Sequence, residues 1–388
     1  MANTLNNLIP DLYAAIDIVS RELTGMIPAV SMDATADRAA VNQTVRIPIA
    51  PANAAGFNVT PAMAIPAASD QTIGNTTIVI NKSRGYPFSW NGNEQGSLNS
   101  NGPGYFPIRA NQMLQAIRAL VNEVEADLTA LHATTSRAYG TPTSTPFGTA
   151  GDFTDATQAL KILKDNGAPL SDNQLVIDTA AGANFLGKQA SSSVEFDAGI
   201  LRQGVFRTVS GMDIRESGQI NTPTAGTMAN ATSTSAAFTV GQTVIPLATA
   251  GTGVVAAGDV ITFANDTNKY VVASVLFAGA NPASGDSITL AAPGLRKAQG
   301  VATRAITVIA TAARNMAFNR SAIVLATRLP ERPVEGDLAL DVTTITDPRS
   351  GLTFEVAVYP GQRMVRYEVA LAWGVKNIKP EHTALLLG

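Results

Sequence analysis

Apolar positions recur with a helical period in the middle of the chain. Between Arg109 and Ala138 they return every three or four residues, which predicts a helix about 45 Å long. Gly140 and Pro142 follow as terminators. The predicted buried stripe consists of Met113, Ile117, Leu120, Val124, Leu128 and Leu131.

A second pattern, strict alternation, occupies Val365–Val375 near the end of the chain. Successive side chains of a strand point to opposite faces, so this pattern predicts a long, half-buried strand of a main sheet. The apolar face consists of Val365, Tyr367, Val369, Leu371, Trp373 and Val375.

The pattern in the N-terminal third predicts a helix followed by a long hairpin. Leu5–Leu23 has helical periodicity and is followed by Gly25 and Pro28, which end a helix. This helix is either an arm that packs on a neighbouring molecule or a terminal helix docked on its own core. Residues 41–108 alternate strand-like runs with turns, and residues 91–104 form a polar run. They predict a long protruding hairpin that returns through a flexible loop.

The remainder combines α/β segments with one β-rich stretch. Residues 150–220 predict a helix, a short buried strand and a further helical turn at 195–206. Residues 221–304 carry only seven charged residues and show five short strand-like runs, typical of a small all-β barrel or sandwich. Because α/β character resumes after it, we expect an inserted domain whose two ends lie close together. Asn315–Thr327 then predicts a helix.

Composition narrows the possible functions. Only 15% of the 388 residues are charged, the formal net charge is −3, and there are no cysteines and two histidines. Disulfides, thiolate metal sites and sites with three histidine ligands are therefore excluded, and a nucleic-acid binder would normally carry a basic excess. Low charge favours either a subunit packed against copies of itself or a secreted β-rich protein. The acidic N-terminus is unlike a signal peptide, and no apolar run is long enough to cross a membrane.

Candidate chemistry is sparse. No nucleophile, phosphate-binding or metal-binding motif is found in the sequence. His132 and His382 have no partner in the sequence pattern and are expected to be packed or surface residues. A crosslink from Lys82 to an asparagine of a neighbouring molecule is conceivable, but a solvated lysine is the simpler prediction. We therefore predict no enzyme activity, no cofactor and no metal.

Several short motifs carry a family resemblance. Ala372–Lys376 (AWGVK), followed by Lys379–His382 (KPEH), resembles the C-terminal strand and P-E-x motif of major capsid proteins of tailed bacteriophages with the HK97 fold. Asn315–Ala326 (NMAFNRSAIVLA) is similar to a helix of that family. Gly258–Phe263 (GDVITF) resembles a strand in the insertion domain of the coat protein of a Salmonella short-tailed phage and its relatives, and Asp17–Pro28 and Phe196–Ile214 are also similar to that coat protein.

The resemblance implies an α+β, HK97-like capsid fold with an N-arm, an E-loop, a long spine helix, a P-domain and an A-domain, and an inserted small all-β barrel domain. It implies the following segments: 1–40, N-terminal arm; 41–108, extended hairpin (E-loop) and return; 109–149, spine helix and peripheral (P) domain; 150–220, first part of the central (A) domain; 221–306, inserted β-barrel; 307–388, second part of the A-domain and closing P-domain strand.

The function implied is that of a major capsid (coat) protein, which self-assembles into the hexamers and pentamers of an icosahedral shell around double-stranded phage DNA. The implied partners are copies of itself, a separate scaffolding protein, a portal protein at one vertex and DNA held without sequence-specific contacts, with no membrane. The implied location is the virion, after assembly in the host cytoplasm. The alternative is a secreted or tail-type β-rich structural or adhesion protein.

The predicted arm, hairpin and charged helix face supply candidates for contacts between subunits. These are Asp17, Arg21, Lys82, Arg84, Trp90, Glu123 and Arg363.

Overall fold

The computed structural model describes residues 23–49, 61, 74–101, 104–149, 152–189, 208–249, 251–277, 283 and 285–388. The predicted N-terminal helix and the predicted helical turn at 195–206 lie outside the described residues. The helices are α1 (Gly92–Asn101), α2 (Tyr105–Thr129), α3 (Thr154–Asp165) and α4 (Thr179–Gln189), with 3₁₀ turns at Ile27–Ala29, Ala130–Thr134, Arg320–Ala322 and Pro380–His382.

Within the described ranges, the strands form one six-stranded sheet, one twelve-stranded sheet and one two-stranded pair. In chain order they are β1 (Ser31–Ala39), β2 (Thr44–Ile49), β3 (Gly74–Val79), β4 (Lys82–Asn91), β5 (Arg137–Gly140), β6 (Asn173–Ile177), β7 (Thr208–Val209), β8 (Met212–Glu216), β9 (Thr232–Ser233), β10 (Val244–Thr249), β11 (Val260–Phe263), β12 (Lys269–Leu276), β13 (Ser287–Leu290), β14 (Ile306–Val308), β15 (Arg314–Asn319), β16 (Ile323–Pro330), β17 (Asp341–Thr346), β18 (Thr353–Gly361), β19 (Met364–Asn377) and β20 (Thr383–Leu387).

The six-stranded sheet is organised around β19, the strand predicted from alternation. β4 pairs antiparallel with one edge of β19, from Lys82 opposite Trp373 to Asn91 opposite Met364. The other edge pairs first with β18 and then with β16, which carry β17 and β1 on their outer sides. The long predicted strand is thus confirmed as the centre of a main sheet.

The helix α2 lies on one face of this sheet. It begins at Tyr105, four residues before the predicted start, and ends at Thr129, after which the chain continues as a 3₁₀ turn. The predicted stripe from Met113 to Leu128 is buried and packs in one core with Val369, Leu371 and Trp373 of β19. The helix is therefore confirmed, although its last predicted residues belong to the turn and to β5.

The opposite face of the sheet is covered by the two-stranded pair β2–β3. This pair runs in register from Thr44 opposite Val79 to Ile49 opposite Gly74. Ile78 and Ile80 pack against Val324, Ala326 and Ala372 of the sheet. The strand pairing expected between 41 and 108 is therefore present, and β4 continues from it directly into the main sheet. Residues 50–60 and 62–73, which would form the protruding end of the predicted hairpin, lie outside the described residues.

The prediction of a flexible return loop at 91–104 is wrong for its first part. Residues Gly92–Asn101 form α1. The backbone N–H of Glu94 donates to Asn91 Oδ1 at 2.8 Å, and the backbone N–H of Asn91 donates to Glu94 Oε2 at 3.0 Å. This reciprocal capping box satisfies two donors that a helix start leaves unpaired, so a polar sequence still forms a helix.

The predicted helix Asn315–Thr327 is also wrong. Residues Arg314–Asn319 form β15, a fully buried strand between β6 and β20 at the centre of the twelve-stranded sheet. Asn319 then accepts a bond from the backbone N–H of Ser321, which caps a short turn, and the chain enters β16. A fully buried strand is apolar on both faces, so its spacing cannot be distinguished from that of a buried helix.

The chain comes close together on either side of the charge-poor region. The backbone N–H of Arg314, which follows the predicted region, donates to the carbonyl of Asn221 at 3.0 Å, as an insertion requires. Between them β9 to β14 enclose their own apolar core. β12 also pairs with β5, at Lys269 opposite Ala138, so the region extends the twelve-stranded sheet. Its closure as a barrel and the domain boundaries stay predictions.

One turn recurs before four of the strands. In Ala40–Gln43, Thr239–Gln242, Ala256–Asp259 and Ala283–Asp286, the backbone N–H of the first residue donates to the side-chain oxygen of the fourth. The fourth residue's N–H donates back to the first carbonyl. The third residue, Asn42 or a glycine, has φ between 72° and 93°. Glycine and asparagine adopt this conformation easily, so a glycine or asparagine followed by aspartate or glutamine precedes each of these strands.

His132 lies at the junction between α2, β15 and the inserted region. Its side chain is buried, and its Nδ1 lies 3.0 Å from the carbonyl of Thr129. Burial, and secondarily the nearby charge of Arg314, lower the pKa of His132. A cation formed here would lie close to the fully buried guanidinium of Arg314, which Asp259 faces from the inserted region.

We expect acid to weaken this junction. A histidine whose pKa is lowered in the folded state stabilises the fold above its unfolded pKa of about 6.5, and this contribution is lost as the pH falls toward the folded pKa. Urea unfolding at about pH 7.5 and about pH 5 should show a smaller loss of stability for His132→Gln than for the unmodified protein. Parallel losses in the two proteins would contradict this.

Candidate functional site

Four of the five described contact candidates lie along one feature, the polar seam between β4 and α2, and the fifth, Arg363, lies in the turn between β18 and β19. β4 runs beneath the long helix, and its side chains reach the helix at three levels. Lys82, Arg84 and Trp90 come from the strand, and Glu123 comes from the helix. Asp17 and Arg21 lie outside the described residues.

The first level joins Lys82, Asp127 and Trp373. Lys82 Nζ lies 2.7 Å from Asp127 Oδ1, and Trp373 Nε1 donates to Asp127 Oδ2 at 2.8 Å. The ammonium group also lies 5.8 Å from the centre of the Trp373 ring. One carboxylate therefore binds the edge strand, the helix and the central strand together, and the charge of Lys82 is satisfied inside its own chain.

The second level joins Arg84, Tyr86 and Glu123. The hydroxyl of Tyr86 donates to Glu123 Oε1 at 2.5 Å, and this bond is the largest cause of the raised pKa of Tyr86. Arg84 Nε lies 3.3 Å from Glu123 Oε2 as an ion pair without hydrogen-bond geometry. Arg84 is 58% exposed, so this pair adds little stability and leaves the guanidinium open to solvent.

The third level contains Trp90, near the start of α2. Its Nε1 donates to Gln112 Oε1 at 2.7 Å, and its ring meets that of Tyr105 edge-on at 5.4 Å. Trp90 also lines an open cavity of about 600 Å³ together with Arg363. Arg363 lies in the tight turn between β18 and β19, with φ of 57°. Two candidates chosen separately from the sequence thus border one cavity.

The seam holds β4, and with it the extended pair β2–β3, in a fixed position on the sheet. Lys82, Arg84, Trp90 and Glu123 have their described partners within one chain. Their role in contacts between subunits stays a prediction, and the same holds for Arg363.

Sequence reasoning missed the loop at residues 331–340, which we call the acidic loop. It carries Glu331, Glu335 and Asp337, and its apolar side chains face solvent: Val334 is 100% exposed and Leu338 is 81% exposed. The sequence did contain a signal for this loop: a turn from Pro333 to Gly336 holds a valine, and a leucine follows it. Apolar residues seldom occupy a turn tip without a partner.

The base of the acidic loop is held by a buried ionic cluster. Glu355, only 5% exposed, accepts bonds from Arg332 at 2.8 Å and from Arg38 at 2.5 Å. Arg332 also lies 3.6 Å from Asp337, which accepts a bond from the hydroxyl of Tyr359 at 3.1 Å. These charges, on β1, the loop and β18, make the loop base part of the sheet.

Other kinds of site find no support in the described residues. Within those ranges, no group of three or more histidine, aspartate or glutamate side chains could hold a metal ion. His132 is packed at the junction described above, and His382 is half-buried near the C-terminal turn. Among the described helices, none combines the length and the apolar character needed to cross a membrane.

Comparison with known proteins gives matches only among solved structures. No protein-family model matches the chain, and no curated protein matches it. A chain of Mycobacterium phage Che8 is similar at 13% identity and a TM-score of 0.46, over 95% of this chain and 92% of that one.

Two further solved structures are similar over nearly the whole chain. The capsid structure of cyanophage P-SCSP1u is 11% identical with a TM-score of 0.48, over 95% of this chain and 89% of that one. A virus-like particle from Pyrococcus furiosus is 10% identical with a TM-score of 0.40, over 98% and 97%. At these low identities and TM-scores, the matches do not establish a function. The function is inferred from the contacts within this chain.

Proposed function

We propose that the chain is a major capsid (coat) protein with an HK97-like fold, which self-assembles into the hexamers and pentamers of an icosahedral shell around double-stranded DNA. The observation that carries the proposal is the order and packing of its elements. An extended strand pair leads directly into the edge strand of a long sheet, a 25-residue helix lies across that sheet, and a second mixed sheet follows.

This arrangement suits a shell subunit for a mechanical reason. The pair β2–β3 is packed on the sheet by Ile78 and Ile80, while β4 is fixed to the long helix through Asp127 and Glu123. A strand pair anchored in this way can transmit force to a neighbouring subunit while its own attachment to the sheet stays folded.

Low surface charge is the second support. Only 15% of residues are charged, so subunits can approach with little desolvation of ions, and many weak contacts form reversibly. Reversible contacts allow misplaced subunits to leave during assembly. A weak net charge of −3 also favours an inner surface that does not grip packaged DNA.

The remaining parts of the proposal follow from the same role. The protein would act with a separate scaffolding protein during assembly and with a portal protein at one vertex, in the host cytoplasm, and would remain in the virion without a membrane. Its work is structural, with no catalytic step. The finer resemblance to the coat protein of a Salmonella short-tailed phage, including a barrel-like insertion domain, stays a prediction.

Electron microscopy tests the proposal directly. The purified protein, alone and co-expressed with a scaffolding protein of its source genome, would be examined by negative stain and by sedimentation. We expect closed shells or open polymers of one subunit type. A monodisperse monomer under every condition would overturn the proposal.

A further inference from the structure

The tip of the acidic loop is a turn that projects into solvent. The backbone N–H of Gly336 donates to the carbonyl of Pro333 at 3.0 Å, so Val334 and Glu335 are the two central residues of the turn. Val334 is 100% exposed. An exposed valine forgoes the favourable burial of its side chain, which a partner surface would supply.

The turn is presented in a fixed orientation. Arg332 ties the loop base to the buried Glu355, and the backbone N–H of Leu340 donates to the carbonyl of Val358 at 2.7 Å. A surface element that is already ordered loses little conformational entropy when it binds. The tip is therefore suited to dock.

The cavity beside Trp90 complements the turn tip in its apolar lining and in its charge. Its apolar lining includes Trp90, Pro360 and Met364, and Arg363 supplies its charge. In the described part of the chain, neither Arg363 nor Glu335 has a charged partner. One apolar side chain and one carboxylate on the tip thus match an apolar wall and one guanidinium in the cavity.

The tip does not line the cavity of its own chain. Leu340, at the end of the acidic loop, lines that cavity, whereas Val334 is fully exposed among the described residues. Two different surfaces that complement each other make a head-to-tail contact, which closes into a ring or continues as a polymer. A second copy of this chain can satisfy both surfaces at once.

We propose that the turn Pro333–Gly336 of one subunit docks into the cavity lined by Trp90, Met364 and Arg363 on a neighbouring copy, where Glu335 pairs with Arg363. This inference rests on the proposed self-assembly and names one of its contacts.

Charge reversal tests the pairing. Glu335→Arg and Arg363→Glu should each reduce the yield of assembled particles about tenfold, because each places like charges together, corresponding to about 1.4 kcal/mol per contact. The double variant should return to within about twofold of the original yield, because it restores the pair. Unfolding midpoints measured in parallel show that the variants fold.

Crosslinking tests the geometry independently of charge. The chain contains no cysteine, so introduced thiols report only on each other. The double variant Val334→Cys, Met364→Cys should form a reducible ladder of covalent multimers on oxidation, while each single variant stays monomeric on a denaturing gel. As a matched control, Leu276→Cys, 72% exposed at another site, combined with Val334→Cys should give no ladder.

The outcomes separate this contact from self-assembly in general. Shells from the unmodified protein, with full assembly of both charge variants and no ladder, would overturn the contact and leave the proposed function standing. Disulfide-linked dimers of Val334→Cys alone would overturn the head-to-tail geometry. No assembly by the unmodified protein would overturn both.

Discussion

Replacing Trp373 with alanine is expected to lower the free energy of unfolding by about 3–5 kcal/mol. Trp373 is fully buried in β19 and belongs to the core shared by the sheet and α2. The substitution leaves a large cavity there and removes the bond from Nε1 to Asp127, so the seam between strand and helix loses one of its partners. Urea unfolding followed by far-UV circular dichroism measures the change.

Trp90 provides the matched control, because it is the other tryptophan of the chain and is half-buried. We expect Trp90→Ala to cost clearly less stability than Trp373→Ala, since its ring keeps contact with solvent. Trp373→Phe should lose less stability than Trp373→Ala, because it keeps much of the ring packing although it removes the hydrogen bond and leaves a smaller cavity. Equal losses for the two alanine variants would contradict the packing described here.

The second large effect is expected at Glu125, a fully buried carboxylate of α2. Its oxygens accept bonds from the backbone N–H groups of Met26 at 2.7 Å and Ile27 at 3.0 Å, and from the hydroxyl of Ser217 at 2.7 Å. Glu125→Ala leaves these donors buried without acceptors, which should cost about 3 kcal/mol. The segment before β1 should then detach from the helix and become accessible to protease.

The pH dependence of Glu125 has a defined sign. Burial is the largest cause of its raised pKa, and hydrogen bonds from Met26, Ser217, Ile27 and Gly25 oppose the shift. A carboxyl whose pKa is raised in the folded state favours folding fully below its unfolded pKa of about 4.3, and this contribution is lost as the pH rises through the folded pKa. The unmodified protein should therefore lose stability relative to Glu125→Gln as the pH rises through the folded pKa.

The exposed Glu331 serves as a control for this comparison. Glu331→Ala should change the free energy of unfolding by less than about 0.5 kcal/mol, as surface substitutions usually do. If Glu125→Ala were as mild, the carboxylate would not be the fastening point of the N-terminal segment.

The elements that the sequence predicted well are those with one buried face. Met113, Ile117 and Leu120 repeat at helical spacing because α2 has solvent on one side and the sheet on the other. In β19 the large residues Val369 and Trp373 face the helix, and the small residue Ala372 faces β2–β3. One-sided burial imposes a period on the sequence, and the period identifies the element.

The elements that were missed lack such a face. β15 is buried on both sides, so Asn315–Asn319 carries no strand alternation. The helix α1 is polar throughout and is specified by the capping pair Asn91 and Glu94 rather than by hydrophobic spacing. The acidic loop was missed because a turn tip has no period at all.

The candidate site was predicted only in part for a related reason. The residue types of the seam were recognisable, but the pairing of Lys82 with Asp127 spans 45 positions and depends on how β4 lies under α2. Trp90 and Arg363 were chosen separately, and only the pairing of β4 with β19 brings them to one cavity.

The recurring turn has a consequence for how the inserted region meets its surroundings. All three acidic residues between 221 and 304, Asp259, Asp266 and Asp286, are more than nine-tenths buried. Asp259 and Asp286 brace turns, and Asp266 accepts a bond from Tyr270. The ionisable groups left to face solvent are all cationic, with Arg296 and Lys297 the most exposed. The solvent-facing surface of this region therefore carries only positive charge, although the whole chain has an isoelectric point near 5.5.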